Sequence, residues 1–278
     1  MSPIAVVADS ACDLPPHEAA RVGVRVVPLT VTFGEESFRD GEELTPEAFW
    51  DRVEASPDLP TTASPAPAAL LEAYRAAAAA GADGIVSVHV SGKLSRTLDS
   101  AQTAAAESPV PVEVVDSRSV SLGIALVALA AARAGADGRG LAETAAATRA
   151  AADRVQVVAF LDTVEFLKRG GRVGRAKAAL SDLLRVRPVL SLDDGETVLV
   201  ARSRTRGRAI EEVLARAEGP AEAAAVLHGG AEEAAAVAVR LASACGVEPI
   251  VALIGAVTGT HLGPRALGIA VLRPAGHR

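Results

Sequence analysis

The stretch from Ser87 to Thr97 reads SVHVSGKLSRT. It completes an apolar run that begins at Gly84, and an Ala-rich helical pattern from Leu98 to Ala106 follows it. An apolar run too short for a helix, leading through Gly, Ser, Thr and Lys into a helix, predicts a buried strand with a ligand-binding loop at its end. A nucleotide-binding P-loop would need glycine where the chain has Ser87 and a hydroxyl residue where it has Leu94. The unit is therefore strand–loop–helix, but it is no Walker-type nucleotide site.

Short apolar segments alternate with Ala-rich helical segments through the first half of the chain. Helix starts are predicted at Thr45-Pro46 and Ser64-Pro65, because a hydroxyl residue followed by proline is typical of a helix N-terminus. The pattern predicts an α/β fold with a mostly parallel sheet and helices on both of its faces. The predicted strands are Ile4–Ala8, Arg25–Thr32, Gly84–Val90 and Val112–Val115.

The pattern changes after about residue 153. Asp193-Asp194-Gly195 stands between two β-rich runs, which predicts a hairpin and hence a second, mixed sheet. We therefore predict two α/β domains, residues 1–153 and 154–278. The strands predicted for the second domain are Val155–Leu161, Val186–Leu192, Glu196–Ala201, Ala224–His228, Pro249–Ile254 and Leu267–Leu272.

Composition excludes several classes of protein. The 278 residues are half apolar and carry a net charge of −6, which argues against a nucleic-acid-binding protein. No apolar stretch approaches the roughly 20 residues of a membrane span, and no charged segment precedes the first strand, so neither an anchor nor a signal peptide is expected. Cys12 and Cys245 are far apart and away from clustered histidines, which predicts a reducing compartment, the cytoplasm, and no metal site.

Polar clusters follow several of the predicted strands. Ligands of open α/β sheets bind outside the carboxyl ends of the strands, so these clusters are candidate site residues. Each also has a structural interpretation: Ser64, Ser95 and Thr97 are ordinary helix-capping residues, and Asp9 and Asp13 suit a tight turn. The clusters are Ala8–Pro15, Pro60–Pro65, Ser91–Thr97 and Gly255–Pro264.

His261 and two basic runs complete the set of candidates. His261 lies between Gly259 and Gly263, where backbone can approach a ligand closely. The runs Lys168–Lys177 and Arg202–Arg208 are either solvated charge or a rim that faces an anion. Nucleophile elbows, HExxH zinc motifs and Cys-x-x-Cys pairs are absent from the sequence, so a binding protein for a small anion is favoured over a hydrolase.

These segments resemble the DegV family, in order and over nearly the whole chain, about residues 3–274. Val7–Pro15 (VADSACDLP) is similar to the opening motif of the family, Thr61–Pro65 to its TTSQP segment, and Ser91–Thr97 to its SSxLSGT segment. Further matches are Phe166–Arg172, Arg187–Leu190, Arg204–Arg206 and Gly259–Pro264.

The resemblance implies one long-chain fatty acid, such as palmitate or oleate, in a tunnel between two domains and no other cofactor. It also implies a partner, the catalytic subunit of a fatty acid kinase, which phosphorylates the bound carboxylate; this chain would be the non-catalytic, lipid-binding subunit. By position, Thr62, Ser95 and His261 would hold the carboxylate and Ala63 and Thr97 would complete the pocket. Arginines near the mouth would be Arg169, Arg172 and Arg204.

The sequence departs from the family pattern at two places: Ala63-Ser64 replaces Ser-Gln, and Arg96 replaces glycine. Two other functions stay open on the residues alone. One is an enzyme acting on a small acyl or phosphoryl substrate with His261 as base, and the other is a nucleic-acid or regulatory module built on the arginine runs, which the net charge disfavours. Transient contact with a membrane is a further expectation for a lipid-binding protein.

Overall fold

The computed structural model describes residues 3–56, 58–180 and 186–276. Its strands are β1 (Ile4–Asp9), β2 (Val24–Val27), β3 (Thr30–Phe33), β4 (Glu36–Arg39), β5 (Thr61–Ala63), β6 (Gly84–His89), β7 (Val112–Asp116), β8 (Val155–Phe160), β9 (Arg187–Asp193), β10 (Glu196–Ser203), β11 (Ala223–His228), β12 (Ile250–Leu253) and β13 (Leu267–Leu272). Its helices are α1 (Pro16–Val22), α2 (Pro46–Ala55), α3 (Pro67–Ala79), α4 (Thr97–Ala105), α5 (Leu122–Ala136), α6 (Leu141–Ala152), α7 (Glu165–Arg169), α8 (Lys177–Leu180), α9 (Arg206–Leu214), α10 (Ala234–Cys245) and α11 (Ala256–Leu262).

The first half of the chain forms a parallel sheet of order β2-β1-β6-β7. Side chains alternate across it, so Val7 and Ile85 pack with α3 and α4 on one face, while Val6 and Val86 face the opposite side and α5. The predicted parallel sheet with helices on both faces is confirmed.

The second half forms a mixed sheet of order β10-β9-β8-β13-β11-β12, in which only β11 and β12 run parallel. The predicted hairpin is β9–β10. Its turn has positive φ at Asp194 and Gly195, the conformation that an Asp-Gly pair favours between antiparallel strands. Helices α9 and α10 cover the outer face of this sheet.

Helix α5 lies between the two sheets. It contacts β1 and β6 of the parallel sheet and β8, β11 and β13 of the mixed sheet, and most of its residues are buried. Its sequence, LGIALVALAAARAGA, is apolar around nearly its whole circumference, as expected of a helix without a solvent face. One continuous apolar core therefore joins both sheets through this helix.

Two predicted elements need correction. The single strand predicted over Arg25–Thr32 is wrong, because the chain is interrupted at Pro28 and Leu29, where the Leu29 N–H donates to Ser10 Oγ at 3.0 Å. The second piece, β3, instead forms a small antiparallel sheet of order β4-β3-β5. The helix predicted to start at Ser64-Pro65 begins two residues later, at Pro67, so Ser64 does not cap it.

Candidate ligand-binding cavity

A cavity opens where the carboxyl ends of β1 and β6 face the inner surface of the mixed sheet. Its volume is about 920 Å³ including the space at its opening. Both halves of the chain contribute walls, and the lining is predominantly apolar. The apolar wall includes Val90, Leu94, Val157, Ala159, Leu190 and Leu227. The cavity therefore lies between the two sheets, where the family resemblance implies a ligand.

Hydroxyl groups and one imidazole form a polar end to this cavity. Strand β5 carries Thr62, whose Oγ1 lies 3.1 Å from His261 Nε2 on α11. Ser95, just before α4, lies 3.0 Å from Ser64 and 2.8 Å from Thr97, each distance joining two hydroxyl oxygens. Three separate segments thus bring hydrogen-bonding side chains to one end of an otherwise apolar space.

His261 lies at the polar end of the cavity, on α11. Burial, and then the nearby charge of Arg172, lower the pKa of His261 to about 4. The ring is therefore neutral at physiological pH and has one N–H to donate. Its Nδ1 is buried and has no hydrogen-bond partner among the residues the structure describes. A side chain at Gly170 would place Cβ 2.2 Å from that nitrogen, so only glycine leaves room for the ring.

The three predicted rim arginines lie in different surroundings. Arg172 lines the cavity, and its guanidinium donates to the carbonyls of Leu94 at 3.1 Å and Gly170 at 2.5 Å. Arg169 is exposed and pairs with Glu165. Arg204 is exposed as well, and neither Arg169 nor Arg204 belongs to the cavity lining. Only Arg172 therefore adds positive charge to the cavity itself.

The structure brings most of the predicted site residues together. Thr62, Ala63, Ser95 and His261 all line the cavity, and Ala63 is exposed at its opening. Thr97 is fully buried behind Ser95 and reaches the cavity only through that hydroxyl. Sequence reasoning missed Ser64 as a lining residue. The position of Ser64 directly after Ala63, in the same polar cluster, could have identified it as a lining residue.

Within the first polar cluster, Asp9 has a structural role. Asp9 is fully buried and accepts hydrogen bonds from the Ala11 N–H at 3.1 Å and the Val90 N–H at 2.9 Å, and it lies 3.0 Å from His89 Nδ1. The carboxylate thereby fixes the ends of β1 and β6, next to Ala11 and Val90 of the cavity wall. The prediction that Asp9 satisfies backbone donors at a turn is confirmed.

This arrangement can bind a molecule with one anionic end and an apolar body. Hydroxyls, a neutral imidazole N–H and one guanidinium are donors for an anion, whereas most of the remaining wall is apolar. The other hydroxyls of the lining, those of Ser191, Thr197 and Thr258, donate to backbone carbonyls. Within residues 3–56, 58–180 and 186–276, no group of three or more His, Cys, Asp or Glu side chains is arranged to hold a metal ion. Among the helices of those same ranges, none combines the length and apolar character needed to cross a membrane.

Fold and cavity together define an α/β protein with two main sheets, a small third sheet and a mostly apolar cavity with one polar end. The chain belongs to the DegV family: the model of that family, described as an uncharacterised protein of the DegV family, matches residues 3–273. A DegV domain-containing protein of Streptomyces coelicolor is 38% identical over 275 residues, which cover 96% of this chain and 98% of the relative.

Solved structures show the same fold. A DegV family protein of Thermus thermophilus, described for its fatty acid binding, has a TM-score of 0.90 and 39% identity, with 98% of this chain and 100% of that chain covered. DegV of Bacillus subtilis, described as a fatty acid binding protein, has a TM-score of 0.88 and 31% identity, with 98% and 100% covered. A stearic acid-binding protein of Eubacterium ventriosum has a TM-score of 0.88 and 26% identity, with 98% of each chain covered.

Proposed function

We propose that this protein binds one long-chain fatty acid, with the tail in the apolar cavity and the carboxylate at the polar end. The observation that carries the proposal is the contrast within the cavity, whose apolar body ends at Thr62, Ser95 and His261. Burial of each tail methylene contributes about 0.8 kcal/mol, so the tail supplies most of the affinity. The hydroxyls and the neutral imidazole then fix where the carboxylate lies.

The carboxylate is also the group on which a partner would act. We propose that the protein presents it to a separate kinase for acyl-phosphate formation. Two observations support this: the loop Ser87–Thr97 lacks the residues of a nucleotide site, and Arg172 adds a cation beside the polar end. The exposed Arg169 and Arg204 would act on the kinase surface rather than on the ligand.

Hydrolysis with His261 as base is less well supported. A general base works best when its pKa is near the operating pH, and a pKa of about 4 makes this imidazole a weak base. The hydroxyl next to it belongs to Thr62, at 3.1 Å, but no third group orients the ring through Nδ1 among the described residues.

The binding proposal is tested by lipid extraction. Protein purified from a bacterial host should release about one equivalent of long-chain fatty acid on denaturing extraction, detected by mass spectrometry. Delipidated protein should take up palmitate or oleate. Absence of both extracted lipid and uptake would refute the proposal.

The kinase proposal needs its own assay, in which a fatty acid kinase catalytic subunit, ATP and the loaded protein are mixed and acyl-phosphate is measured. Arg204→Ala should keep its ligand and lose turnover, and higher salt should have the same effect, because encounter between charged surfaces is screened. Ligand-loaded protein that gives no acyl-phosphate under any condition would refute the kinase proposal while leaving the binding proposal intact.

A further inference from the structure

Helix α11 lines the ligand-binding cavity and begins beside a second cavity. Gly255, which precedes the helix, lines the second cavity, whereas Val257, Thr258 and His261 line the first. The second cavity has a volume of about 1570 Å³ including its opening. The residue that begins this seven-residue helix thus lies beside the second space, whereas residues along the helix face the first.

Two carboxylates, the half-buried Asp13 and the buried Asp40, hold the beginning of this helix. The Gly255 N–H donates to Asp13 Oδ1 at 3.0 Å, and the Ala256 N–H donates to Asp40 Oδ1 at 3.2 Å. A Cβ at Gly255 would lie 2.8 Å from Asp13 Oδ1 and 3.5 Å from Asp40 Oδ1, so both oxygens pack on the same peptide. Asp13 is held from its other side, because Ser121 Oγ donates to its Oδ2 at 2.5 Å.

Among the described residues that line the second cavity there is no lysine or arginine to pair with these carboxylates. Burial, and then the mutual repulsion of the two carboxylates, raise the pKa of Asp13 to about 7. Burial raises the pKa of Asp40 to about 6, and the charge of Asp9 adds to this. The other titratable groups near the pair or along the cavity wall are Asp9, Cys12, His17, Glu42 and Glu47.

We propose that Asp13 and Asp40 are positioning residues that hold α11, and through it His261, at the polar end of the ligand-binding cavity. The charge state of this pair alters that position. When both carboxyl groups are ionised, Asp13 and Asp40 carry like charges close to each other. Their repulsion acts on the Gly255-Ala256 segment, whose N–H groups they both bind. His261 lies about 9 Å along the axis from Gly255, at 1.5 Å per residue, so a shift of the helix start moves the imidazole as well.

The first test observes His261 itself in ligand-free protein. Histidine is labelled with ¹³C, and the ring signal of His261 is assigned with His261→Gln. In the wild type this signal should shift between pH 6 and pH 8, although the ring does not titrate there. Asp13→Asn and Asp40→Asn should abolish the shift, and Glu47→Gln, an acid-to-amide change in the same cavity, should retain it. A shift that persists in both aspartate variants, or that disappears in Glu47→Gln, would overturn the proposal.

Ser121→Ala guards against variants that fail to fold. Asp13 has φ of 50°, a conformation that asparagine tolerates well, so Asp13→Asn keeps the backbone. Ser121→Ala removes only the hydroxyl that stabilises the ionised Asp13, and should therefore move the midpoint of the His261 shift to higher pH. If the folded Ser121→Ala protein shows the His261 shift at an unchanged midpoint pH, ionisation of Asp13 is not its cause and the proposal is refuted.

A second readout rests on the proposed function. The dissociation rate of a fluorescent long-chain fatty acid is measured at pH 6 and pH 8, and each variant is compared with the wild type at the same pH, which removes the ionisation of the free acid. The wild type should release ligand several-fold faster at pH 8, and Asp13→Asn and Asp40→Asn should not. Absence of fatty acid binding with an intact His261 shift would refute the proposed function alone. Binding that follows the wild-type pH dependence in both variants would refute the positioning role alone.

Discussion

Replacing Ala159 with leucine should shorten the fatty acid that this cavity accepts. Ala159 lies on β8, it is 6% exposed, and its side chain lines the cavity beside Leu190, its partner across the strand pair. Leucine adds three carbons at this point and displaces about three methylenes of the tail. At about 0.8 kcal/mol each, the lost burial is about 2.4 kcal/mol, or roughly 50-fold in affinity for chains that fill the cavity.

The assay is calorimetric titration of delipidated protein with saturated acids from decanoate to stearate. Long chains should lose most affinity and short chains little, so that the preferred length falls by about three methylenes. Ala236→Leu, an exposed position on α10 beyond the mixed sheet, is the matched control and should bind like the wild type. An equal loss at every chain length would mean that the polar end had been disturbed, and unchanged binding of stearate would place the tail elsewhere; either result refutes the reasoning.

Removal of one donor at the polar end should weaken palmitate binding by about 0.5–3 kcal/mol without abolishing it, since the tail contributes several times more. The variants to be tested by calorimetry are Thr62→Ala, Ser95→Ala and His261→Ala, with Ser100→Ala on α4 as the control. Complete loss of palmitate binding in any of the three would contradict the prediction. Gly259→Ala should lower the free energy of unfolding by about 1–3 kcal/mol, because its Cβ would lie 2.5 Å from the Phe49 ring; an unchanged or higher Tm would contradict this. Asp13 and Asp40 have folded pKa values of about 7 and about 6 against an ordinary 3.8, so the stability they contribute is full below about pH 4 and is lost as pH rises through those values. Between pH 5 and pH 8, the free energy of unfolding measured with denaturant should fall by on the order of a few kcal/mol more in the wild type than in the variant with both Asp13→Asn and Asp40→Asn. An equal fall in both proteins would contradict the assigned pKa values.

The elements that the sequence predicted well are those whose side chains alone specify them. Strands β1, β6, β8 and β13 are short runs, mostly of Val, Ile, Leu and Ala, and they are largely buried on both faces, so their composition suffices. The β9–β10 hairpin was equally accessible because Asp194-Gly195 favours only a narrow set of turns. Local chemistry decides these elements, and the sequence contains it.

Elements that depend on distant partners were missed. β5 is three residues of Thr and Ala, and β4 is largely exposed, so each is a strand only because β3 pairs with it. The same limit applies to Ser64, which resembles a helix cap in sequence. Its hydroxyl instead lies 3.0 Å from Ser95, 31 residues further along the chain. Propensity cannot anticipate such pairings, because the partner supplies the free energy.

The candidate site was predictable in its membership but not in its electrostatics. Thr62, Ser95 and His261 were identified through the family resemblance, and the structure brings them to one cavity. The neutral state of His261 follows from burial and from Arg172, and neither is visible in the order of residues. The sequence likewise does not show that Arg172 lines the cavity while Arg204 is exposed, because that difference depends on three-dimensional contacts.

Helix α5 also determines how far the protein can be divided. A fragment that ended at residue 153 would carry α5 with the surface that now meets β11 and β13 turned to water, and the complementary fragment would expose the inner side of its sheet. Neither piece could serve as an independent module. A recombinant of two relatives joined at residue 153 would therefore have to keep the surface of α5 complementary to the inner side of the mixed sheet. Two fragments produced together should reassociate through α5, whereas either one alone should aggregate.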